Sequence, residues 1–167
     1  MTLAETEPRA GNDGLRHLYA TEYHSLVKLA SLLLDDRGAC EEVVQDAFVR
    51  TLVAWPTLRD ATKAPAFVRS AVLNGARSRI RRLAVVRRHS QPPPDSVASA
   101  EGRAVEHEMI VGELRRLPLR QREALALRYY LDLSEADIAT AMGISAGSVK
   151  AHLHRGLATL ARRLEPR

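Results

Sequence analysis

The spacing of apolar residues predicts helices in the first half of the chain. Leu15, Leu18, Leu26, Leu29 and Leu33 are separated by three, four or eight residues, so all of them fall on one face of a helix. Two further stretches have a helical period, and the alternating pattern of a half-buried strand is missing from the sequence. We therefore predict an all-α fold. The predicted helices of this half cover about residues 13–33, 39–55 and 66–88.

The second half of the chain predicts a separate helical domain. A helical period extends from about Ala104 to Leu164, and Pro118 separates the first two helices of this part. The segment Gln91–Ser96 contains three consecutive prolines, which cannot continue a helix and are typical of a stiff linker. We predict two small helical domains joined by this Pro-rich linker. The predicted division is a loose N-terminal segment at residues 1–13, a first domain at 14–88, a linker at 89–103 and a second domain at 104–167.

Residues 131–160 have the pattern of a helix-turn-helix. Ser134 is placed to cap a first short helix, Gly143 to end it in the left-handed conformation, and Ser145 to cap a second helix. The apolar positions of the second helix are Val149, Leu153, Leu157 and Leu160. The opposite side is small, polar or cationic, with Ser148, Lys150, Ala151, His154 and Arg155. Such a pair of helices either reads the major groove of DNA or forms an ordinary helical corner with a solvated face.

The same periodicity predicts which side chains are buried. Leu52 is expected on the buried side of the second helix, and Phe67 on the buried side of the third. The arginines of the third helix are expected to face solvent. Tyr129 and Tyr130 end the helix before the helix-turn-helix, and we expect them to pack rather than to contact a ligand.

The positive charge of the chain is concentrated in one segment. Between Ala61 and Pro94 there are eight lysines and arginines and no acidic residue, whereas the remainder has 17 basic and 20 acidic residues. A basic block of this kind is typical of a protein that binds a polyphosphate. A solvated face usually mixes both signs, and a membrane-bound helix usually has bulky apolar residues opposite its charges. The pattern therefore favours nucleic acid as the partner.

Other classes of protein find little support in the sequence. No apolar run approaches the length of a membrane span, and the polar, acidic N-terminus does not resemble a signal peptide, so we expect a cytosolic protein. The single cysteine, Cys40, excludes an internal disulfide and a multi-cysteine metal site. His152 and His154 are two residues apart and point in different directions on a helix, so they cannot share a metal. We predict a protein that is not an enzyme and that has no catalytic residue, no metal and no cofactor.

Three segments together resemble extracytoplasmic-function sigma factors of bacterial RNA polymerase, in particular the actinobacterial sigma-E-like group. The promoter-binding C-terminal domain of that family is similar to residues 117–130 (LPLRQREALALRYY) and 133–139 (LSEADIA). The segment with which the family binds polymerase resembles residues 39–50 (ACEEVVQDAFVR). The family's helix at the melted edge of the promoter resembles residues 67–82 (FVRSAVLNGARSRIRR). The segments occur in the order of the family, so the resemblance covers about residues 14–164.

The resemblance assigns a polymerase-binding face to the second helix. Glu42, Gln45 and Asp46 lie at i, i+3 and i+4 and therefore share one helix face, and Arg50 follows four residues later. Without the resemblance, a solvated face would be the simpler interpretation of this pattern. With it, these four residues are expected to bind the clamp coiled coil of core RNA polymerase.

The resemblance also assigns two regions to promoter DNA. The loop at residues 58–64 is expected to hold extruded bases, and the basic helix after it is expected to meet the duplex or the fork. The residues expected at the downstream element are Lys63, Arg69, Asn74, Arg77, Arg79, Arg81 and Arg82. The residues expected at the upstream element are Ser145, Ser148, Lys150, Ala151, His154 and Arg155.

Taken together, these patterns predict an alternative sigma factor that directs promoter recognition and strand opening. Its partners would be core RNA polymerase, promoter DNA and an anti-sigma factor. The alternative is a stand-alone helix-turn-helix regulator that binds duplex DNA as a dimer, although such a protein has no need of the face at Glu42, Gln45 and Asp46. The linker has no pattern that fixes one arrangement of the domains, so in the free chain we expect either variable or autoinhibitory arrangements.

Overall fold

The computed structural model describes residues 9–89 and 103–166, which form seven α-helices without a strand in these two ranges. The first domain contains α1 (Arg9–Leu33), α2 (Arg37–Ala54) and α3 (Ala64–His89). Two short 3₁₀ turns, Trp55–Thr57 and Ala61–Lys63, connect α2 to α3. The all-α prediction is therefore confirmed.

The second domain continues the helical pattern with α4 (Arg103–Arg115) and α5 (Leu119–Leu125). A single π-helical turn, Ala126–Tyr130, extends α5. The helix-turn-helix follows as α6 (Glu135–Met142) and α7 (Ala146–Leu164). Pro118 precedes α5 and separates it from α4, as predicted, because proline has no backbone N–H for a helical hydrogen bond.

Both domains bury aliphatic side chains, and the two domains contact each other. Leu26, Val44 and Val68, one from each helix of the first domain, have no exposed surface. In the second domain Ile138 and Val149 are equally buried. The apolar cluster is continuous across the two domains: α6 packs on α3, and the C-terminal end of α1 packs near α4 and α5. The described part of the free chain is thus a closed arrangement of the two domains.

The helix ends differ from the predictions by a few residues. α1 begins at Arg9, so residues 9–13 are helical and the expectation of a loose segment is wrong for them. The start of α1 is supported by close packing, because a Cβ atom at Gly14 would lie 2.8 Å from Cζ2 of Trp55. Residues 1–8 and the triple proline of the predicted linker lie outside the described residues, and the helices that flank the linker end at His89 and begin at Arg103.

Two predicted core residues of the first domain are exposed. Phe67 is 37% exposed, and the buried line of α3 runs instead through Ala64, Val68 and Val72, one helical turn apart. Leu52 is 51% exposed, and the adjacent Thr51 is fully buried in its place. A threonine is tolerated there because its hydroxyl donates a hydrogen bond of 2.8 Å to the carbonyl oxygen of Ala47.

Candidate nucleic-acid interface

The helix-turn-helix has the capping geometry that its sequence predicts. The backbone N–H of Asp137 donates to the Ser134 hydroxyl at 3.1 Å, and that hydroxyl donates to the Asp137 carboxylate at 2.8 Å. Gly143 ends α6 at φ 66° and ψ 37°, in the left-handed region. The N–H of Ser148 donates to the Ser145 hydroxyl at 3.1 Å and caps α7. These caps fix where α7 starts, and hence which side chains it presents.

One side of α7 is open to solvent near its N-terminus. Lys150, His154 and Arg155 are exposed and Ala151 is half-buried, whereas Val149 is fully buried. The Lys150 ammonium lies 3.7 Å from the Glu135 carboxylate, and because Lys150 is exposed and Glu135 is only half-buried, water screens this pair. The hydroxyls of Ser145 and Ser148 lie 2.9 Å apart at the cap. The exposed side therefore carries cationic and imidazole groups that can reach phosphates or base edges.

The basic residues of the first domain occupy different environments. Lys63, Asn74, Arg81 and Arg82 are exposed, and Arg69 is half-buried. From residue 81 to the end of α3 every side chain is exposed. The basic C-terminal part of α3 therefore projects from the body of the protein, which is what a polyphosphate partner requires.

Two of the predicted DNA-contacting arginines are held by carboxylates. The Arg77 guanidinium donates two hydrogen bonds to Glu123 of the second domain, at 2.7 and 2.9 Å, and a third to the Asn74 side chain at 2.9 Å. Only 18% of the Arg77 side chain is exposed, so the expectation that all arginines of this helix face solvent is wrong for it. Arg79 donates to Glu42 at 3.1 Å, which joins a predicted DNA contact to a predicted polymerase contact.

The predicted partner face of α2 is exposed and more apolar than its sequence pattern suggested. Glu42, Gln45, Asp46 and Arg50 are all exposed. The same side of α2 presents three large apolar residues, Val49 at 58%, Leu52 at 51% and Val53 at 75% exposure. We call these seven residues the α2 outer face. Val49 and Val53 were missed because, in a helix with several apolar positions, the sequence does not show which of them are covered.

The second domain carries an apolar groove between α4, the π-helical turn and α7. Its volume is about 400 Å³, and its lining includes Ile110, Leu125, Tyr129 and Leu157. Tyr129 is 65% exposed and Tyr130 is 39% exposed, so the two tyrosines, which the sequence predicts to pack rather than to contact a ligand, line the groove instead of the buried core. The π-helical turn is the physical reason, because an extra residue in the turn rotates these positions away from the buried line.

The described residues contain neither a candidate membrane span nor a candidate metal site. Among the helices within residues 9–89 and 103–166, none is long and apolar enough to cross a membrane. Over the same part of the chain, no three His, Cys, Asp or Glu side chains are grouped as metal ligands.

Comparisons with known proteins place both domains. Residues 18–85 match the family described as sigma-70 region 2, and residues 107–160 match sigma-70 region 4. The chain is 32% identical over 149 residues to an RNA polymerase sigma-E factor of Streptomyces avermitilis, covering 88% of this chain and 83% of that protein. It is 30% identical over 155 residues to the ECF RNA polymerase sigma factor SigL of Mycobacterium tuberculosis, covering 87% and 86% of the two chains.

Two solved structures have a similar fold. One is the sigma factor RpoE in complex with the anti-sigma factor NepR from Bartonella quintana, with a TM-score of 0.77 and 20% identity over 93% of this chain and 99% of that one. The other is CnrH in complex with the cytosolic domain of CnrY, with a TM-score of 0.71 and 22% identity over 92% and 88% of the two chains. The region 2 and region 4 matches, the order of the two domains and the sigma-E relatives agree, and the chain belongs to the extracytoplasmic-function (ECF) sigma factors of RNA polymerase, among which it is sigma-E-like.

Proposed function

We propose that this sigma factor binds core RNA polymerase through the α2 outer face and directs it to promoters through α3 and α7. The polymerase would carry out RNA synthesis, while this chain would supply promoter choice and help to open the strands. Its place of action would be the cytoplasm, where polymerase and promoters meet. The observation that carries the proposal is the exposure of Glu42, Gln45 and Asp46 beside three apolar side chains in a chain of this family.

The composition of the α2 outer face suits a protein partner. Apolar side chains at the centre of an interface exclude water, and charged side chains at its rim give orientation and specificity. Val49 and Val53 supply the first property, and Asp46 and Arg50 supply the second. By the family resemblance the partner is the clamp coiled coil of polymerase, and the acidic groups would meet its basic side chains.

The helix α7 suits the upstream promoter element. Lys150 and Arg155 are long enough to reach guanine edges or phosphates, and Ala151 offers a methyl contact that favours thymine. His154 lies on the same exposed side. Ser145 and Ser148 would support this surface from the cap, where their hydroxyls already pair with each other.

The loop before α3 and the basic side of α3 suit the downstream element. The loop is held by Asp60, which accepts hydrogen bonds from the N–H of Thr62 at 3.0 Å and from its hydroxyl at 2.6 Å. These bonds lower the pKa of the Asp60 carboxyl below its ordinary value. Lys63, Arg81 and Arg82 are exposed for phosphate contacts. Extruding a base costs a few kcal/mol, which contacts in this loop and the binding of polymerase would offset.

We also propose an anti-sigma factor as a partner, since the similar structure of RpoE is a complex with the anti-sigma factor NepR. The stand-alone regulator fits less well. A dimeric repressor would use α7 alone and would leave the α2 outer face without a role. The match of residues 18–85 to sigma-70 region 2 likewise has no place in that alternative.

The test is the affinity of the full chain for core polymerase after charge reversal on the α2 outer face. Asp46→Arg should weaken binding at least roughly tenfold, because it places a like charge against a basic surface at an interface. Asp46 is exposed, so the helical content and the unfolding transition should stay unchanged. Glu165→Arg is the matched control, because it reverses an exposed charge at the end of α7. Equal affinity of Asp46→Arg and the control would refute the assignment of this face.

A further inference from the structure

We propose that Arg77 and Glu123 form an ion-pair latch that keeps the two domains closed in the free sigma factor and that must open before Arg77 can contact DNA. The closure is a property of the chain alone. Its consequence for DNA rests on the proposed function of α3. Nothing in the sequence pointed to this pair, because its members are 46 residues apart and lie in different domains.

The geometry of the latch is that of a strong ion pair. Nε of Arg77 lies 2.7 Å from Oε1 of Glu123, and Nη2 lies 2.9 Å from Oε2, so the guanidinium binds both carboxylate oxygens. Glu123 has no exposed surface. Arg120 adds a bond of 3.1 Å to the same carboxylate, but it comes from α5 itself. Arg77 is therefore the interdomain partner of a buried charge.

The burial of Glu123 explains why loss of the ion pair would favour the open arrangement. A buried carboxylate is unfavourable without a cationic partner, and removing one member of such a pair destabilises the arrangement that buries the other. Arg77 supplies that partner only while α3 and α5 are adjacent. Without Arg77 the closed arrangement would bury the Glu123 carboxylate with Arg120 as its remaining partner, whereas water can solvate that carboxylate when the domains separate. Loss of the pair therefore shifts the balance from the closed to the open arrangement.

A second set of polar contacts also holds the two domains together, at the C-terminal end of α1. The last carbonyls of a helix have no partners within it and form its negative end. Nη2 of Arg115 donates to the carbonyl oxygen of Ser31 at 2.6 Å, and Nη1 of Arg122 donates to that of Leu33 at 2.9 Å. Arg115 also lies 3.3 Å from the Asp35 carboxylate. Two arginines of the second domain thus cap a helix of the first.

Closure places the second domain where DNA would lie. A cleft of about 520 Å³ between α3 and α5 is lined by side chains from both, including Asn74, Arg77 and Arg81 from α3 and Arg120 from α5. Duplex DNA and α5 would therefore compete for the same side of α3. On binding DNA, Arg77 exchanges one anionic partner, Glu123, for another, a phosphate.

The experiment is a charge swap measured by small-angle X-ray scattering on the full chain. The wild-type chain should scatter as a closed particle, near the roughly 15 Å radius of gyration of a compact domain of this length. Arg77→Glu should shift the balance between closed and open forms tenfold or more toward the open form and increase that radius. The double variant Arg77→Glu, Glu123→Arg should restore the closed form. Arg120→Ala is the matched control. It removes a bond to Glu123 within one domain and leaves the interdomain pair in place, so the radius of gyration should stay near that of the wild type.

Folding is measured separately from closure. Helical content by circular dichroism must match the wild type, and Glu123→Gln serves as a milder second variant if Arg77→Glu does not fold. Each of three results would overturn the latch. The first is an unchanged radius of gyration in both Arg77→Glu and Glu123→Gln, the second is a double variant that fails to restore the closed form, and the third is an extended wild-type chain.

Polymerase binding then separates the latch from the proposed function. Glu123→Gln leaves Arg77 in place and should speed association with core polymerase several-fold. If Glu123→Gln opens the chain but no variant binds polymerase, the proposed function fails and the latch stands. If polymerase binds the wild type but scattering shows no latch effect, the latch fails and the proposed function stands.

Discussion

The crossing of α5 and α7 gives a prediction whose size can be worked out from the structure. Gly156 is buried in α7, and a Cβ atom at this position would lie 2.8 Å from Cδ1 and 3.2 Å from Cγ of Leu125. Leu125 is itself 3% exposed and has little room to move. Overpacking of this kind costs about 1–3 kcal/mol. Replacing glycine by alanine inside a helix gains about 1 kcal/mol, so Gly156→Ala should lower the free energy of unfolding by roughly 0–2 kcal/mol.

Gly112→Ala is the matched control for this substitution. Gly112 lies in α4, and a Cβ atom there would meet nothing within 4 Å besides the backbone of its own helix, so only the helix propensity changes. Urea unfolding of the full chains should place Gly156→Ala about 1–3 kcal/mol below Gly112→Ala, a difference of several degrees in Tm. Because α7 would also shift relative to α5, binding of upstream duplex should weaken. Equal stability of the two variants would refute the close approach of these helices.

Three further predictions concern single residues. Lys150→Ala and Arg155→Ala should each weaken binding of the upstream element by about 1–3 kcal/mol if the side chain contacts a base. If each variant binds promoter duplex and scrambled duplex equally well, sequence specificity depends on other residues. Asp132 has φ 52°, so Asp132→Val should lower the free energy of unfolding by about 1–2 kcal/mol while Asp132→Gly should not, as urea titrations can show. Burial raises the pKa of the Cys40 thiol. The free energy of unfolding should therefore be unaffected below the ordinary thiol pKa and should fall as the pH rises above it. Cys40→Ala should remove this loss.

The helix-turn-helix could be predicted from sequence because its determinants are local. Ser134, Gly143 and Ser145 act on backbone groups within a few residues of themselves, so their spacing alone indicates where each helix begins and ends. The acidic part of the α2 outer face could be predicted for the same reason. In both cases one helical period is enough to show which side chains share a face.

The remaining features depend on which elements meet. Thr51 replaces Leu52 in the core because of how α2 lies against its neighbours, and its hydroxyl is satisfied by its own helix. The pairing of Arg77 with Glu123 joins residues that no periodicity connects. A basic residue on a DNA-facing helix looks the same in sequence whether it faces solvent or a buried carboxylate, so the latch could be found only in the folded chain.

Reconstituted transcription tests the central claim most directly. The polymerase is a Streptomyces core enzyme, because relatives of this chain occur in that genus. It would transcribe genomic DNA fragments of the organism that encodes this chain, with and without the full chain. Mapping the 5′ ends of the transcripts should reveal start sites that appear only with the chain and share two upstream sequence elements at a fixed spacing. These sites should disappear with Asp46→Arg and persist with Glu165→Arg. The same start sites with and without the chain would contradict its role as a sigma factor.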